Sequence, residues 1–268
     1  MKNYIVLLCS IVLLGCGDKA TKSLDAQSII DQTIKISGGA KFDSSIIDFD
    51  FRDKHYFAKR INGNFKLVRT FKDSISKTTD FLTNDGFERY VNNKLVVVPD
   101  SMISRYSASV NSVHYFSVLP YGLNDLAVIK EMLGEVTIKN YVYYKVKVTF
   151  KRDGGGEDFE DVFIYWINKE SFKLDYLAYS YAELDGTGLR FREAYNERYV
   201  NGLRFVDYNN YKPETNTEKL RDLAQLFEDD ALKLLSKIEF VISLTGSGNL
   251  FFFQICGPKF KPIFLAQN

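Results

Sequence analysis

A run of alternating apolar and polar residues at 157–213 constrains the fold of this chain more than any other feature. β-Branched and aromatic residues fill four segments of it, which we predict as strands at 161–167, 171–182, 188–197 and 203–211. Asp185-Gly186 and Asn201-Gly202 separate the later segments, and both pairs favour tight hairpin turns because they tolerate positive φ angles. Consecutive strands joined by such turns predict an antiparallel meander.

The same alternation on both sides of the meander extends the predicted sheet. Ile47, Phe49 and Phe51 alternate with charged residues, which is typical of a strand with one solvated face. Further strands are predicted at 45–51, 65–72, 76–82, 87–91, 95–98, 135–138, 141–151 and 232–241. A helix at 219–235 is the alternative for the last of these, but Glu228-Asp229-Asp230 is typical of a turn.

Helical spacing is confined to a few segments. Residues 24–36 place Ala26, Ile29 and Ile30 on one face and precede Gly38-Gly39, so we predict an amphipathic helix that packs on the sheet. Shorter or weaker helices are predicted at 101–116, 125–133 and 220–227. The predicted fold is α+β and mainly β. A strongly curved antiparallel sheet forms an incomplete barrel, with an N-terminal helix and with helices that plug its mouth.

The N-terminus has the features of an exported lipoprotein. A short basic start precedes an apolar run at 4–14, which is shorter than the roughly 20 residues of a membrane span and typical of a signal peptide. Leu-Leu-Gly-Cys at 13–16 resembles a bacterial lipobox, whose cysteine is diacylated. An ordinary signal peptide with a chance cysteine and a short membrane anchor are the alternatives. We predict a signal peptide at 1–15, lipidation at Cys16, a tether at 16–23, one domain at 24–243 and an atypical apolar tail at 244–268.

Composition excludes some partners and one kind of cross-link. The chain has 35 Lys and Arg against 34 Asp and Glu, whereas a nucleic-acid-binding protein needs a basic surface, so no nucleic acid is expected as a partner. Cys9 lies in the signal peptide and Cys16 is predicted to carry lipid, so only Cys256 remains and no intramolecular disulfide is expected. Stability must then come from burial, to which 22 Phe and 17 Tyr contribute apolar area.

Several long motifs resemble known families. The motifs are LPYGLND at 119–125, DVFIYWINKESFKLDYLAYSY at 161–181, GLRFREAYNERYVNGLRFVDYNNYKP at 188–213 and LLSKIEF at 234–240. Across residues 105–239 the chain resembles a family of uncharacterised flavobacterial lipoproteins, a domain of unknown function. Its architecture is also similar to that of periplasmic lipoprotein-sorting proteins of the LolA/LolB-like group. The second resemblance implies an apolar cavity able to hold an acyl chain, and neither implies a catalytic residue.

Polar and aromatic side chains gather on the predicted meander. Arg190, Arg192 and Asn196 occupy alternate positions of one strand and so share a face. An arginine there can hold a carboxylate or phosphate through two hydrogen bonds, whereas cross-strand ion pairing on a solvated face is the structural alternative. The candidate ligand-binding residues are Trp166, Asp175, Tyr176, Tyr179, Arg190, Arg192, Tyr195, Asn196, Asp207 and Tyr208.

Catalytic patterns are scarce in this sequence. With two histidines, His55 and His114, the chain lacks a histidine-rich zinc motif, and it lacks a Gly-x-Ser-x-Gly elbow. We expect no catalytic residue, no metal and no cofactor. The leading hypothesis is a membrane-anchored lipoprotein of the cell envelope that binds a lipid-like or hydrophobic ligand. We expect it in the outer membrane, on either the periplasmic or the cell-surface side. A hydrolase using the Arg/Asp/Tyr face, with a carboxylate pair such as Asp175 and Asp207, is one alternative. An accessory subunit without a ligand, whose protein partner is unassigned, is another.

Overall fold

The computed structural model of the protein describes residues 24–155, 159–183, 186–215 and 217–247. The α-helices are α1 (Ala26–Ile36), α2 (Asp100–Ser117) and α3 (Leu223–Glu228), and 3-10 helices lie at Gly39–Asp43 and Leu220–Asp222. The strands are β1 (Ser44–Phe51), β2 (Lys54–Ile61), β3 (Asn64–Lys72), β4 (Lys77–Thr83), β5 (Gly86–Val91), β6 (Lys94–Val96), β7 (Val128–Ile138), β8 (Tyr141–Phe150), β9 (Val162–Asn168), β10 (Leu174–Glu183), β11 (Gly186–Val200), β12 (Leu203–Pro213), β13 (Leu232–Ile238) and β14 (Val241–Ser247).

The strands form two seven-stranded sheets that do not close into a barrel. Sheet 1 has the order β14-β1-β2-β3-β4-β5-β6, and sheet 2 has the order β13-β12-β11-β10-β9-β8-β7. The strand pairs of both sheets are antiparallel. The predicted mainly β fold with an open antiparallel sheet is thereby confirmed, and α2 is the helix inserted between its two halves.

The main core lies between the two sheets. The chain passes from sheet 1 to sheet 2 through α2, and it returns through Glu239 and Phe240, which join β13 to β14. Apolar side chains of both sheets and of helices α1 and α2 meet in one cluster, which includes Ile29, Ile30, Phe49, Ala58, Leu67, Val110, Val146, Tyr165 and Leu177. The two sheets therefore face each other across side chains contributed by the helices.

Helix α1 is fixed at both ends by local chemistry. Asp25 caps its first turn by accepting a hydrogen bond from the Ser28 amide at 2.8 Å. The chain leaves the helix at Gly38, where φ is +133° and a Cβ atom would lie 2.8 Å from Leu203 Cδ2, so only glycine fits. The Arg204 amide then donates to the Ser37 carbonyl at 2.9 Å, which ties the end of α1 to β12.

The predicted hairpin turns have the expected backbone geometry. Asn62 and Gly63, between β2 and β3, have φ angles of 49° and 80°. Asn201 and Gly202, between β11 and β12, have φ angles of 51° and 80°. Positive φ at both central positions is the geometry that matches the twist of paired strands. Asp185 of the other predicted turn lies outside the described residues.

A second, smaller apolar cluster covers the opposite face of sheet 2. Trp166, Tyr176 and Phe191 point to this face and pack beneath Phe227 of α3. We call it the outer cluster. Because α3 packs there, it does not lie between the sheets.

The helix predicted at 125–133 is wrong, since most of this segment belongs to strand β7. Leu126, Ile129 and Leu133 have helical spacing, but positions 129 and 133 also fall on one face of a strand because they are four apart. Both side chains are exposed. Gly134, read as a helix stop, instead has a φ of 99° within a register shift between β7 and β8.

The C-terminal part of the domain also differs from the prediction. The strand predicted at 232–241 ends at Ile238, and a further strand, β14, follows it and pairs with β1. β14 runs to Ser247, past the domain boundary predicted at residue 243. The signal peptide, Cys16, the tether and the rest of the tail lie outside the described residues. Within the described ranges no helix is long and apolar enough to cross a membrane.

Candidate functional site: a cavity between the two sheets

A cavity of about 820 Å³ lies between the sheets beside α2, and we call it the inner cavity. Its volume is within the range of small-molecule binding sites, which is roughly 300–1,000 Å³. Its lining is rich in aromatic and aliphatic side chains, among them Phe51, Phe65, Leu82, Val113, Phe116, Phe150, Phe163, Tyr179 and Phe240. A space of this size with such a lining suits an aliphatic or aromatic guest.

Stacked rings build the wall of the inner cavity on the side of sheet 2. Phe163 of β9 stacks on Tyr179 of β10 with ring centroids 5.3 Å apart. Phe116, near the end of α2, contacts the same tyrosine at 5.4 Å. The adjacent Tyr115 exchanges a 2.8 Å hydrogen bond with Tyr165 of β9, which fixes α2 to sheet 2. Burial raises the pKa of both of these phenols, so they remain neutral hydrogen-bonding groups.

Arg192 is the buried cation of the inner cavity. Its side chain extends from β11, and the residue is 7% exposed. Nη2 donates to the Tyr179 hydroxyl at 2.8 Å, and the guanidinium lies 3.8 Å from the centre of the Phe116 ring. Nε and Nη1 have no hydrogen-bond acceptor. Burial lowers the pKa of Arg192 from its usual value.

Two other buried arginines of the described chain, Arg69 and Arg204, are paired with carboxylates. Arg69 and Arg89 both donate to Asp80, with nitrogen–oxygen distances of 2.7 and 2.6 Å. Arg204 of β12 donates to Glu197. Arg192 therefore differs from these arginines in having a phenol and aromatic rings, but no carboxylate, around its charge.

A second cavity of about 340 Å³ adjoins the first and shares Phe65, Asn111 and Tyr115 with it. Arg60 lines it beneath the Tyr121 ring, at 5.4 Å from the ring centre, and its Nη1 has no acceptor. Asp43 and Asp125 line the same space. This cavity is therefore smaller and carries both signs of charge.

The structure brings three of the predicted site residues together. Tyr179, Arg192 and Tyr208 point into the space between the sheets, and the Arg192 guanidinium lies 5.0 and 5.9 Å from the two tyrosine ring centres. Arg190 is on the same face of β11, half-buried, with Nη1 donating to the Leu189 carbonyl at 2.8 Å. Its guanidinium lies 5.1 Å from the centre of the Tyr181 ring.

Two other candidates lie on the opposite face of sheet 2. Trp166 and Tyr176 are in the outer cluster, where the indole is fully buried and contacts Phe191 at 5.5 Å. Neither residue lines the inner cavity.

Asn196 and Asp207 hold the connection between the sheets. Asp207 accepts hydrogen bonds from Asn196 Nδ2 at 2.6 Å, from Arg198 at 3.1 Å and from the Phe240 amide at 3.0 Å. Tyr195 donates to Glu239 at 2.8 Å. Because Glu239 and Phe240 join β13 to β14, these side chains fix the point at which the chain changes sheets.

Neither Asp175 nor Asp207 lines the inner cavity. Asp175 accepts a hydrogen bond from the Tyr143 hydroxyl at 3.3 Å and lies 3.7 Å from Arg204. Burial raises its pKa, and the Arg204 charge opposes that effect. Asp175 and Asp207 therefore do not form a carboxylate pair at the inner cavity.

Sequence reasoning expected helices to plug the mouth of the sheet but named no side chain of α2 as a site residue. Ala108, Ser112, Val113 and Phe116 of α2 line the cavity at helical spacing. That spacing could have identified the face of α2 which meets the sheet. Among the described residues, no three His, Cys, Asp or Glu side chains form a group that could hold a metal ion.

The fold and the cavity define a class of protein in which two open antiparallel sheets enclose an apolar space of ligand size. The chain belongs to a family of unknown function, DUF6503, whose model matches residues 1–240. This confirms the resemblance read from the sequence to a domain of unknown function. No curated protein matches the chain.

Several solved structures align with most of the chain at low identity. A LolA superfamily protein from Nitrosomonas europaea is 11% identical, with 83% of this chain and 93% of that chain covered and a TM-score of 0.48. A DUF1329 family protein from Desulfovibrio piger is 9% identical, with 85% and 95% covered and a TM-score of 0.46. A Vibrio parahaemolyticus domain described as an outer membrane lipoprotein-sorting protein is 8% identical, with 84% and 93% covered and a TM-score of 0.41. The expected likeness to lipoprotein-sorting proteins is thus found.

Proposed function

We propose that this protein is a lipid-anchored protein of the cell envelope that binds a hydrophobic, lipid-like molecule in the inner cavity. The observation that carries the proposal is the cavity itself, about 820 Å³ between two sheets and lined by side chains such as Phe116, Phe163 and Tyr179. Burying aliphatic surface there is favourable by about 25 cal/mol per Å². Binding to preformed apolar walls avoids much of the cost of ordering them.

The anchor is proposed from the sequence. Cys16 follows a signal-like apolar run, and residues 16–23 form a polar tether before α1 begins at Ala26. Diacylation of Cys16 would hold the domain at a membrane, where lipid-like guests are available. Cells fed radiolabelled palmitate should label the wild-type protein but not Cys16→Ser, and equal labelling of the two would contradict the anchor.

The binding proposal is tested with the mature chain carrying Cys16→Ser, so that no attached lipid interferes. Native mass spectrometry after purification should show bound lipid. Displacement of the neutral fluorophore N-phenyl-1-naphthylamine should then give the affinity for added aliphatic ligands.

A cavity-filling variant identifies where such a ligand binds. Ala108 of α2 lines the inner cavity, so Ala108→Trp should fill part of it and weaken fluorophore binding. Ser101→Trp places the same ring at an exposed position of the same helix and should leave binding unchanged. Equal binding by both variants would show that the ligand is held elsewhere and would overturn the proposal.

A further inference from the structure

The surroundings of Arg192 indicate what the ligand must carry besides its apolar part. The residue lines the inner cavity, yet two of its three guanidinium nitrogens, Nε and Nη1, have no acceptor. Buried polar groups in folded proteins are nearly always hydrogen-bonded, and a buried charge is normally paired. An unpaired, buried guanidinium at the wall of a ligand-sized cavity is therefore a group whose partner is supplied from outside the chain.

No neighbouring group of the described chain supplies that partner. Three carboxylates line the inner cavity, but Asp125 and Glu160 are exposed and Asp161 is half-buried. The charged groups that shift the pKa of Arg192 include none of them. Tyr208 and Tyr165 do not become counterions, because burial raises the pKa of Tyr208 to about 12 and raises that of Tyr165 well above its usual value. The rings of Phe116, Tyr179 and Tyr208 offset part of the charge through their faces, but they do not accept from Nε or Nη1.

Arg60 is the other buried arginine without an ion pair among the described residues, and it is the weaker candidate. Its cavity is smaller and is also lined by Asp43, and the charge of Asp125 already acts on the Arg60 guanidinium. A second anion would meet these carboxylates at close range. Among the described residues, no carboxylate is paired with Arg192.

We propose that the ligand of the inner cavity is an anionic amphiphile whose carboxylate or phosphate binds Arg192 while its aliphatic part lies along Phe116 and Phe163. This inference rests on the proposed function and adds the class of ligand to it. Phe116 covers the guanidinium at 3.8 Å, so its ring turns aside when the anion reaches Nε and Nη1. The Tyr179 hydroxyl, now the acceptor for Nη2, is then free to donate to the anion.

The test compares ligands with the same chain and different head groups on the mature chain carrying Cys16→Ser. Decanoate, decyl phosphate and decanol compete with N-phenyl-1-naphthylamine at neutral pH. Wild-type protein should bind at least one of the two anions about tenfold or more tightly than decanol, which is the gain expected of a charge-assisted hydrogen bond. If both anions show the preference, the site recognises the negative charge that they share. If only one of them does, the site recognises that anion's head group, the carboxylate or the phosphate.

Substitutions separate Arg192 from general electrostatic attraction. Arg192→Met and Arg192→Gln should each reduce the preference for the anions over decanol to within about twofold. Arg221→Met removes the same charge from an exposed position beside Asp222 and should keep the full preference. Thermal unfolding of each variant confirms that it is folded. If neither Arg192 variant folds, the preference of wild-type protein for the anions over decanol decides whether the inference stands.

The outcomes that overturn the inference are distinct from those that overturn the proposed function. Equal binding of anions and decanol by wild-type protein, or a preference that survives in Arg192→Met, refutes the role of Arg192 and leaves the apolar cavity function standing. Failure of all three decyl compounds to displace the fluorophore refutes the cavity function and the inference together.

Discussion

His114 provides the sharpest quantitative test of the core packing beside the cavities. Its ring is 1% exposed and lies edge-on to Phe49 and Tyr56, with Nε2 3.1 Å from the Val68 carbonyl oxygen. Burial, helped by the Arg60 charge, lowers the pKa of His114 from 6.5 to about 3, while the Val68 hydrogen bond partly opposes this. The core therefore contains a neutral imidazole at neutral pH.

The direction of the pH effect follows from this pKa. The unfolded chain takes up a proton on His114 below about pH 6.5, while the folded chain does so only near pH 3. The stability that the folded state has while His114 is neutral is therefore complete above pH 6.5, and it is lost as the pH falls toward 3. Between about pH 7.5 and pH 5, the loss from this single group is about 2 kcal/mol, from 1.36 kcal/mol per pKa unit.

Urea unfolding at the two pH values measures this contribution. The free energy of unfolding of wild-type protein should fall by about 2 kcal/mol more than that of His114→Gln over this interval, since the variant has no group to titrate there. Comparing the two proteins cancels the contribution of the carboxylates, because these titrate in both. His55→Gln, which removes the other histidine from an exposed site beside Asp50, is the control. Parallel pH dependence of wild-type protein and His114→Gln would refute the reasoning.

Three further substitutions test other parts of the structure. Phe227→Ala should lower the free energy of unfolding by about 3–5 kcal/mol, because Phe227 packs on Phe191 at 4.8 Å, yet it should leave fluorophore binding unchanged since the outer cluster is on the other face of sheet 2. Urea unfolding and fluorophore titration of the same variant measure both. Asp80→Asn should cost about 3–5 kcal/mol, because buried Arg69 and half-buried Arg89 lose their counterion, whereas Arg192→Met should cost no stability. A similar loss in both variants would contradict the contrast between paired and unpaired arginines. Asp207→Ala should accelerate hydrogen exchange of the Phe240 amide, and unchanged protection there would show that Asp207 does not hold the crossover.

Local patterns predicted most strands and turns because a hairpin needs only neighbouring residues. Asn62-Gly63 and Asn201-Gly202 adopt the positive φ angles that their residue types favour. The helix prediction at 125–133 is wrong because Ile129 and Leu133 fit one face of a strand as well as one face of a helix. Nothing local separates the two cases when a segment is an edge strand with exposed Ile129 and Leu133.

Strand β14 was not predicted from the sequence because it forms through long-range pairing. Its partner is β1, with Thr245 beside Ile47, and this contact joins opposite ends of the domain. The short run at 241–247 carries a Gly-Ser pair that resembles a flexible joint. Pairing with β1 rather than local propensity makes it a strand.

The site was only partly predictable because both faces of sheet 2 are buried. Strand β9 is buried on both faces, so hydropathy could not show which face meets the cavity. The roles of Asn196 and Asp207 depend on Phe240, which is remote in sequence. Whether the ten candidate residues bind a ligand stays a prediction.

The most direct test of the central claim is a crystal structure of the protein with ω-bromoundecanoate, located by the anomalous signal of bromine. The account predicts a bromine peak between sheet 1 and sheet 2 inside the inner cavity, with the carboxylate within hydrogen-bonding distance of Arg192. A peak on the outer surface of either sheet, or no peak at saturating ligand, would contradict the claim that this space binds an apolar guest.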